Sequence, residues 1–115
     1  MKKDLLQPQR CAGLLGALAA PERLRIVRFL RGGPKNVTEI AAMLGTALVN
    51  VSHHLNVLRQ AGLVRNKKQG RFVLYSLTPG VLQAEGEEGG AEYINLGCCR
   101  LELPTPAAEP RQDPS

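Results

Sequence analysis

Three cysteines are the residues of this 115-residue chain with the greatest capacity for ligand or redox chemistry. Cys11 lies near the start of the sequence, whereas Cys98 and Cys99 are adjacent. Three thiolates form a soft donor set that suits arsenite, antimonite, copper(I), zinc or cadmium. Their number is too small, and odd, for the disulfide framework of a secreted miniprotein, so the composition favours a reducing, cytoplasmic setting.

The adjacent cysteine pair restricts this chemistry. Neighbouring Cα atoms lie about 3.8 Å apart, below the usual disulfide range, so a bond between Cys98 and Cys99 is disfavoured. Successive strand residues face opposite sides of a sheet, so both sulfurs reach one ion only if the chain bends, and Gly97 permits a bend. Three interpretations stay open: ligation of a thiophilic ion, thiol oxidation or persulfidation, and a structural role with Cys11 in the core.

Basic residues are concentrated in the first part of the chain. Residues 1–80 contain thirteen Lys or Arg and three Asp or Glu, a formal charge of +10, whereas residues 81–115 contain two and seven, a formal charge of −5. A segment with that positive charge gains affinity for a polyphosphate through counterion release, so nucleic acid is the leading class of partner. The sequence contains no glycine-rich phosphate loop and no paired-carboxylate motif, so an enzyme is not expected.

Apolar residues at helical spacing predict four helices that position these groups. Pro8 opens the first helix, and Pro21 begins the second, which extends to about residue 31. Asn36 and Glu39 have the spacing of a capping box that opens a short third helix, which ends at Gly45. The apolar stripe of the first helix consists of Cys11, Leu14, Leu15 and Leu18.

The fourth helix, predicted at residues 47–60 with Thr46 as its cap, has one apolar and one polar face. Val51, Leu55 and Leu58 recur at i, i+4 and i+7, which predicts the buried face. A short helix, a tight turn and a longer helix with a polar outer face form a helix-turn-helix. The side chains left for contact with base edges are Asn50, Ser52 and His53.

The neighbouring histidines His53 and His54 do not form a predicted metal site. On a helix their side chains point about 100° apart, and neither has a Cys or an acidic residue four positions away. We predict instead that His53 contacts DNA and that His54 is packed and hydrogen-bonded.

After residue 62 the apolar period changes to 2, which predicts strands at residues 63–66 and 72–77 joined by residues 67–70. The fold class is therefore mainly α with a β-hairpin (α+β), and a further strand is predicted between residues 93 and 103. The basic residues near the hairpin tip either oppose strand pairing or, directly behind a helix-turn-helix, form a DNA-contacting wing. They are Arg65, Lys67, Lys68 and Arg71.

The segment at residues 36–77 carries a resemblance to a known family. It reads NVTEIAAMLGTALVNVSHHLNVLRQAGLVRNKKQGRFVLYSL and follows ALAAPERLRIVRFL. Together these residues cover about two-thirds of the chain, and they resemble the ArsR/SmtB family of metal- and stress-responsive repressors. The resemblance implies a winged helix-turn-helix, a homodimer on an imperfect inverted repeat of DNA, and release of the DNA in response to a small inducer.

The resemblance also implies roles for individual residues. Recognition falls on Asn50, Ser52 and His53 of the fourth helix, with Lys67, Lys68 and Arg71 of the wing on the DNA backbone. Leu48 and Val49 occupy positions where the family often has polar residues, so they either contact thymine methyl groups or indicate weaker selectivity.

The resemblance further places the first helix and the C-terminal segment at a dimer interface, with Leu14, Leu15 and Leu18 as anchors. Cys11, Cys98 and Cys99 then converge within one subunit or between two. The expected function is repression relieved by arsenite or another soft metal ion or metalloid. The alternatives are a repressor that responds to thiol oxidation or persulfides, and a winged-helix module without a metal inducer.

These inferences divide the chain into three regions. Residues 1–82 form the DNA-binding domain, residues 83–103 an acidic, glycine-rich loop and a cysteine-containing segment packed on the dimer, and residues 104–115 a disordered tail. No apolar stretch approaches the roughly 20 residues that span a bilayer, and polar residues interrupt the approach to the first apolar run, so neither a membrane segment nor a signal peptide is predicted.

Overall fold

The computed structural model describes residues 7–84 and 91–103. Within them, four helices, interrupted by one two-residue strand, precede five further strands, and the strands form two antiparallel sheets with the orders β1-β3-β2 and β4-β5-β6. The predicted class, four helices followed by a hairpin, is confirmed. The elements are α1 (Pro8–Leu18), α2 (Pro21–Leu30), β1 (Lys35–Asn36), α3 (Val37–Leu44), α4 (Leu48–Gln60), β2 (Val64–Gln69), β3 (Phe72–Leu77), β4 (Leu82–Ala84), β5 (Glu92–Asn95) and β6 (Arg100–Leu103).

The helix boundaries follow from local sequence signals. Pro8 and Pro21 each occupy the start of a helix, where the missing N–H group costs no hydrogen bond. The predicted capping box is present: the Asn36 side chain accepts from the Glu39 N–H at 2.8 Å, and the Glu39 carboxylate accepts from the Asn36 N–H at 2.9 Å. Gly45 ends α3 with φ of +69°, a value that glycine adopts without strain.

The predicted cap of α4 is corrected by the structure. Ala47, not Thr46, is the N-cap residue, and its side chain makes no capping hydrogen bond. The Thr46 hydroxyl instead accepts a hydrogen bond from Nδ2 of Asn50 at 3.1 Å. Because Ala47 is extended, Thr46 stands one residue too early to cap the first free N–H groups.

The core is built around the inner face of α4. Val51, Leu55 and Leu58 are all fully buried, as the i, i+4, i+7 pattern predicts. Helices α1, α2 and α3 pack against this face with their own aliphatic residues, and Ile94 of β5 belongs to the same cluster. The orientation of α4 is therefore determined by side chains from both halves of the described chain.

The hairpin is longer, and its turn tighter, than the sequence predicted. Strand β2 continues to Gln69, which pairs with Phe72, so the loop is only Gly70 and Arg71 and not residues 67–70. Gly70 has φ of +64°, which the first loop position of a two-residue hairpin turn requires. Full pairing of the strands leaves Lys67 and Lys68 on β2 instead of in the loop.

Four strands were not predicted from the sequence or were predicted only in part. β1 has two residues, too few to show a period, and pairs Lys35 with Tyr75 of β3. Beyond β3, residues 78–81 form a turn followed by β4, and the strand predicted between residues 93 and 103 is a hairpin of β5 and β6. The predicted acidic loop at residues 85–90 and the tail at residues 104–115 lie outside the described residues.

The C-terminal sheet is attached to the helical part by polar and apolar contacts. Nη1 of Arg31, at the end of α2, contacts Oε1 of Glu92 on β5 at 2.6 Å, and both side chains are about three-quarters buried. Ile94 of β5 and Leu96, which follows the end of that strand, enter the core. In the described part of the chain, the helices are too short or too polar to cross a membrane.

Replacement of Leu55 by Ala should lower the free energy of unfolding by about 2–5 kcal/mol, because it removes a fully buried side chain and leaves a cavity. Leu48→Ala is a matched control in the same helix, where the side chain is 53% exposed and the change should stay within about 0.5 kcal/mol. Urea unfolding followed by circular dichroism measures both values. Equal decreases in the two variants would contradict the assignment of the two faces of α4.

Candidate DNA interface and thiol cluster

The outer face of α4 is opposite its buried face. Each helix residue advances about 100°, which puts His53 about 160° around the helix from Leu55, with Val49 at about 120° and Asn56 at about 100°. All three of these residues are exposed. Asn56, which accepts a hydrogen bond from Arg59 at 3.1 Å, was not among the predicted DNA contacts, although its i+7 spacing from Val49 indicates the same face.

The predicted base-reading residues all lie in the first half of α4. Asn50, Ser52 and His53 are exposed, and Asn50 is held toward Thr46 by the hydrogen bond described above. Leu48 and Val49, the first two residues of the helix, are 53% and 74% exposed. All five of these exposed side chains therefore lie in the amino-terminal half of α4.

His54 is packed and hydrogen-bonded, as predicted, and its partner is Arg23. Nη1 of Arg23 contacts Nδ1 of His54 at 3.2 Å, while Nε of Arg23 donates to the Ala17 carbonyl at 2.6 Å. A guanidinium has donors only, so His54 Nδ1 is the acceptor. Arg23 thus connects the end of α1 to α4. The sequence did not reveal this role, because Arg23 is one of several arginines in α2.

The wing presents a cationic edge. Arg65, Lys67, Lys68 and Arg71 are all exposed. Their cross-strand neighbours on β3 are uncharged: Arg65 pairs with Ser76, Lys67 with Leu74 and Lys68 with Val73. The pairing within the hairpin therefore leaves the positive charge of this surface uncompensated, which favours contact with an anionic polymer.

The three cysteines converge within one chain. Cys11 is buried on α1, and Cys98 and Cys99 lie in the bend between β5 and β6. Gly97 has φ of +87°, and the Leu96 N–H donates to the Cys99 carbonyl at 3.0 Å, which closes the bend. The bend turns the side chains of Cys98 and Cys99 toward Cys11. The sequence analysis required such a bend for both sulfurs to reach one ion.

The cluster contains one disulfide and one thiol. Cys11 and Cys98 are bonded, with their Cα atoms 5.9 Å apart, and Cys99 is free. Its sulfur lies 3.5 Å from Sγ of Cys11 and 3.9 Å from Sγ of Cys98. Three reduced thiols were expected from the sequence; the structure instead shows an oxidised form of the same trio, because the bend brings Cys98 within bonding reach of α1.

The predicted dimer residues differ in accessibility. Leu14 and Leu18 are buried in the core of the chain itself, which leaves almost no surface on either for a partner. Leu15, at the flank of this buried stripe and about 100° around α1 from Leu14, is 44% exposed. Of the three leucines, Leu15 is therefore the one that a second subunit can reach, and the dimer contact stays a prediction.

Comparison with known proteins agrees with this geometry. A family described as "Bacterial regulatory protein, arsR family" matches residues 20–66. The transcriptional repressor SdpR of Bacillus subtilis is 37% identical over 81 residues, which are 70% of this chain and 89% of SdpR. This chain belongs to the ArsR family. The ArsR match spans α2, α3 and α4 and ends at the start of the wing, so all three cysteines lie outside it.

Two further relatives add detail to the ArsR-family assignment. The regulator NmtR of Mycobacterium tuberculosis is 48% identical over 66 residues, which are 57% of this chain and 55% of NmtR, so the chain spans about half the length of that protein. A solved structure, the homodimeric winged helix-turn-helix DNA-binding domain of Mb0332 from Mycobacterium bovis, is 31% identical with a TM-score of 0.58 and covers 61% of this chain and 65% of that one.

Alkylation of the oxidised, folded protein with iodoacetamide should modify one cysteine per chain, Cys99, because Cys11 and Cys98 are bonded to each other. After reduction and unfolding, all three should be modified, and peptide mass mapping identifies the positions. A Cys99→Ser variant is the control and should stay unmodified until it is reduced. Modification of Cys11 or Cys98 in that variant before reduction would contradict the pairing.

Proposed function

We propose that this chain is a DNA-binding transcriptional repressor of the ArsR/SmtB kind, which acts in the cytoplasm as a homodimer and not as an enzyme. The observation that carries the proposal is the exposed amino-terminal half of α4, held outward by a fully buried inner face and followed by a cationic hairpin. The family membership and the name of SdpR, a transcriptional repressor, support the same function.

The DNA contacts divide between the helix and the wing. A major groove about 12 Å wide admits α4, so Asn50, Ser52 and His53 reach base edges and specify sequence. Lys67, Lys68 and Arg71 reach phosphates on the flanking backbone and supply affinity without selectivity. Residues 1–82 are the DNA-binding domain in this proposal.

A homodimer is proposed because one helix-turn-helix covers too few base pairs for useful selectivity. Leu15 on the exposed side of α1 supplies an apolar contact, and the C-terminal segment at residues 91–103 packs beside it on the partner. The homodimeric state of the Mycobacterium bovis relative supports this arrangement. Two copies of α4 then read the two halves of an inverted repeat.

The proposed inducer is a thiophilic ion, such as arsenite or another soft metal ion, bound by the reduced cysteine trio. Ligands about 2.3 Å from a tetrahedral zinc lie less than about 4 Å from one another, and Cys99 already lies 3.5 and 3.9 Å from the other two sulfurs. The donor set therefore fits a soft ion once the disulfide is reduced. The ion supplies a cross-link between α1 and the β5–β6 bend.

The cross-link affects DNA binding through α1. Arg23 ties the carbonyl end of α1 to His54 of α4, so a displacement of α1 is transmitted to the recognition helix and to the dimer contact at Leu15. A ligand that favours the non-binding state by a few kcal/mol is sufficient to release the operator.

Oxidation is a second candidate signal, favoured by the Cys11–Cys98 disulfide itself. A peroxide oxidises one thiolate to a sulfenic acid, and the other thiol displaces water from it to form the disulfide. The disulfide cross-links α1 and the β5–β6 bend, the same two elements that the ion would connect. Either signal therefore acts on the contact between these elements.

Replacement of Lys67, Lys68 and Arg71 together by Ala should weaken binding to operator and random DNA alike and reduce the slope of log K against log salt by about 0.9 for each phosphate that is no longer neutralised. Fluorescence anisotropy at several salt concentrations measures the slope. Arg100→Ala, which removes a cation from the C-terminal sheet, is the control and should leave it unchanged. An unaltered slope in the triple variant would remove the wing from the interface.

Reduced protein titrated with arsenite, antimonite, zinc, cadmium or copper(I) should release the operator with at least one of these ions, because three free sulfurs are then available. The Cys98→Ser/Cys99→Ser variant should not respond. Cys99→Ser separates the two candidate signals: it retains the Cys11–Cys98 pair and hence release by peroxide, but lacks the third ligand. Release by an ion from the double variant, or by none of the ions from the parent, would rule out the ion as inducer.

A further inference from the structure

Val49 is the most exposed of the large apolar side chains in the described part of the chain, at 74%. It lies in the first turn of α4, on the outer face, one turn before His53. Single exposed apolar residues are common on protein surfaces and need no explanation by themselves. The position of this valine is different, because polar side chains suited to base contact surround it.

A valine at this position selects among the four base pairs. The edges of adenine, guanine and cytosine in the major groove present hydrogen-bond donors and acceptors, from which an aliphatic side chain gains nothing. Thymine alone also presents a C5-methyl group, an apolar surface that is removed from water when an aliphatic side chain covers it. Leu48, at 53% exposure, extends the apolar surface beside Val49.

The positive charge of the wing favours DNA as the molecule that Val49 contacts. The cations of the wing follow α4 in the chain, and their cross-strand neighbours on β3 carry no compensating charge. We infer that Val49 contacts the C5-methyl group of a thymine in each half-site of the operator, so that this residue and not a polar one specifies that base. The inference rests on the proposed DNA-binding function and adds the base that is recognised.

The test uses the full chain and DNA in which only the methyl group is changed. Duplexes that bind are first selected from a random library, and each thymine of the selected site is then replaced by deoxyuridine, which pairs identically but lacks the methyl group. We expect one sensitive thymine in each half-site. Its replacement in one half-site should raise the dissociation constant roughly four-fold, because one methyl group fewer is buried. Replacement in both half-sites should raise it roughly fifteen-fold.

Two variants assign the effect to the side chain. Val49→Ala should bind the thymine and deoxyuridine sites equally, within about two-fold, because its shorter side chain no longer covers the methyl group. Val73→Ala, which shortens an exposed valine on the wing, is the matched control and should keep the full sensitivity to deoxyuridine.

The outcomes separate this inference from the function on which it rests. Selection of a specific site with no deoxyuridine-sensitive position, or the same sensitivity in Val49→Ala as in the parent, overturns the thymine contact and leaves the repressor function intact. Failure to enrich any duplex sequence overturns both. Sensitivity at one thymine per half-site that disappears only with Val49→Ala establishes the contact.

Discussion

Burial of the inner face of α4 is the constraint on which the rest of the structure depends. Val51, Leu55 and Leu58 reach complete burial because α1, α2, α3 and the C-terminal sheet all contribute side chains to one cluster. An α-helix with one face held in this way has a single exposed face, and the polar residues of α4 are on it. The surface proposed to read DNA is thus a consequence of core packing, because its side chains are the ones that the core does not use.

The second determinant is the set of side-chain contacts that join α1 and the C-terminal sheet to the helices around α4. Arg23 satisfies carbonyl groups at the end of α1 and donates to His54, so a position change in α1 has a direct route to α4. The ion pair of Arg31 with Glu92 holds the C-terminal sheet against α2. The cysteines lie on the two elements that these contacts secure, α1 and the β5–β6 bend, so a cross-link between them restrains the relative position of those elements.

The chemistry of the thiol cluster depends on its redox state. A disulfide removes two of the three sulfur ligands, so ion binding and oxidation exclude each other at the same site. The family-matched residues 20–66 contain none of these cysteines. The helix proposed to read DNA therefore lies in the part of the chain that matches the family, whereas the cysteines proposed to receive the signal lie in segments outside that match.

Local signals in the sequence determined the helices and the faces of α4. Proline at positions 8 and 21, the Asn36–Glu39 capping box and the spacing of the apolar residues act within a few residues, and the structure confirms each of them. Features that depend on residues distant in the chain were decided only by the tertiary structure. The hairpin register, the pairing of β1 with β3, the Arg23–His54 contact and the meeting of Cys11 with Cys98, 87 positions apart, require specific packing between elements, and periodicity in one segment carries no information about its partner.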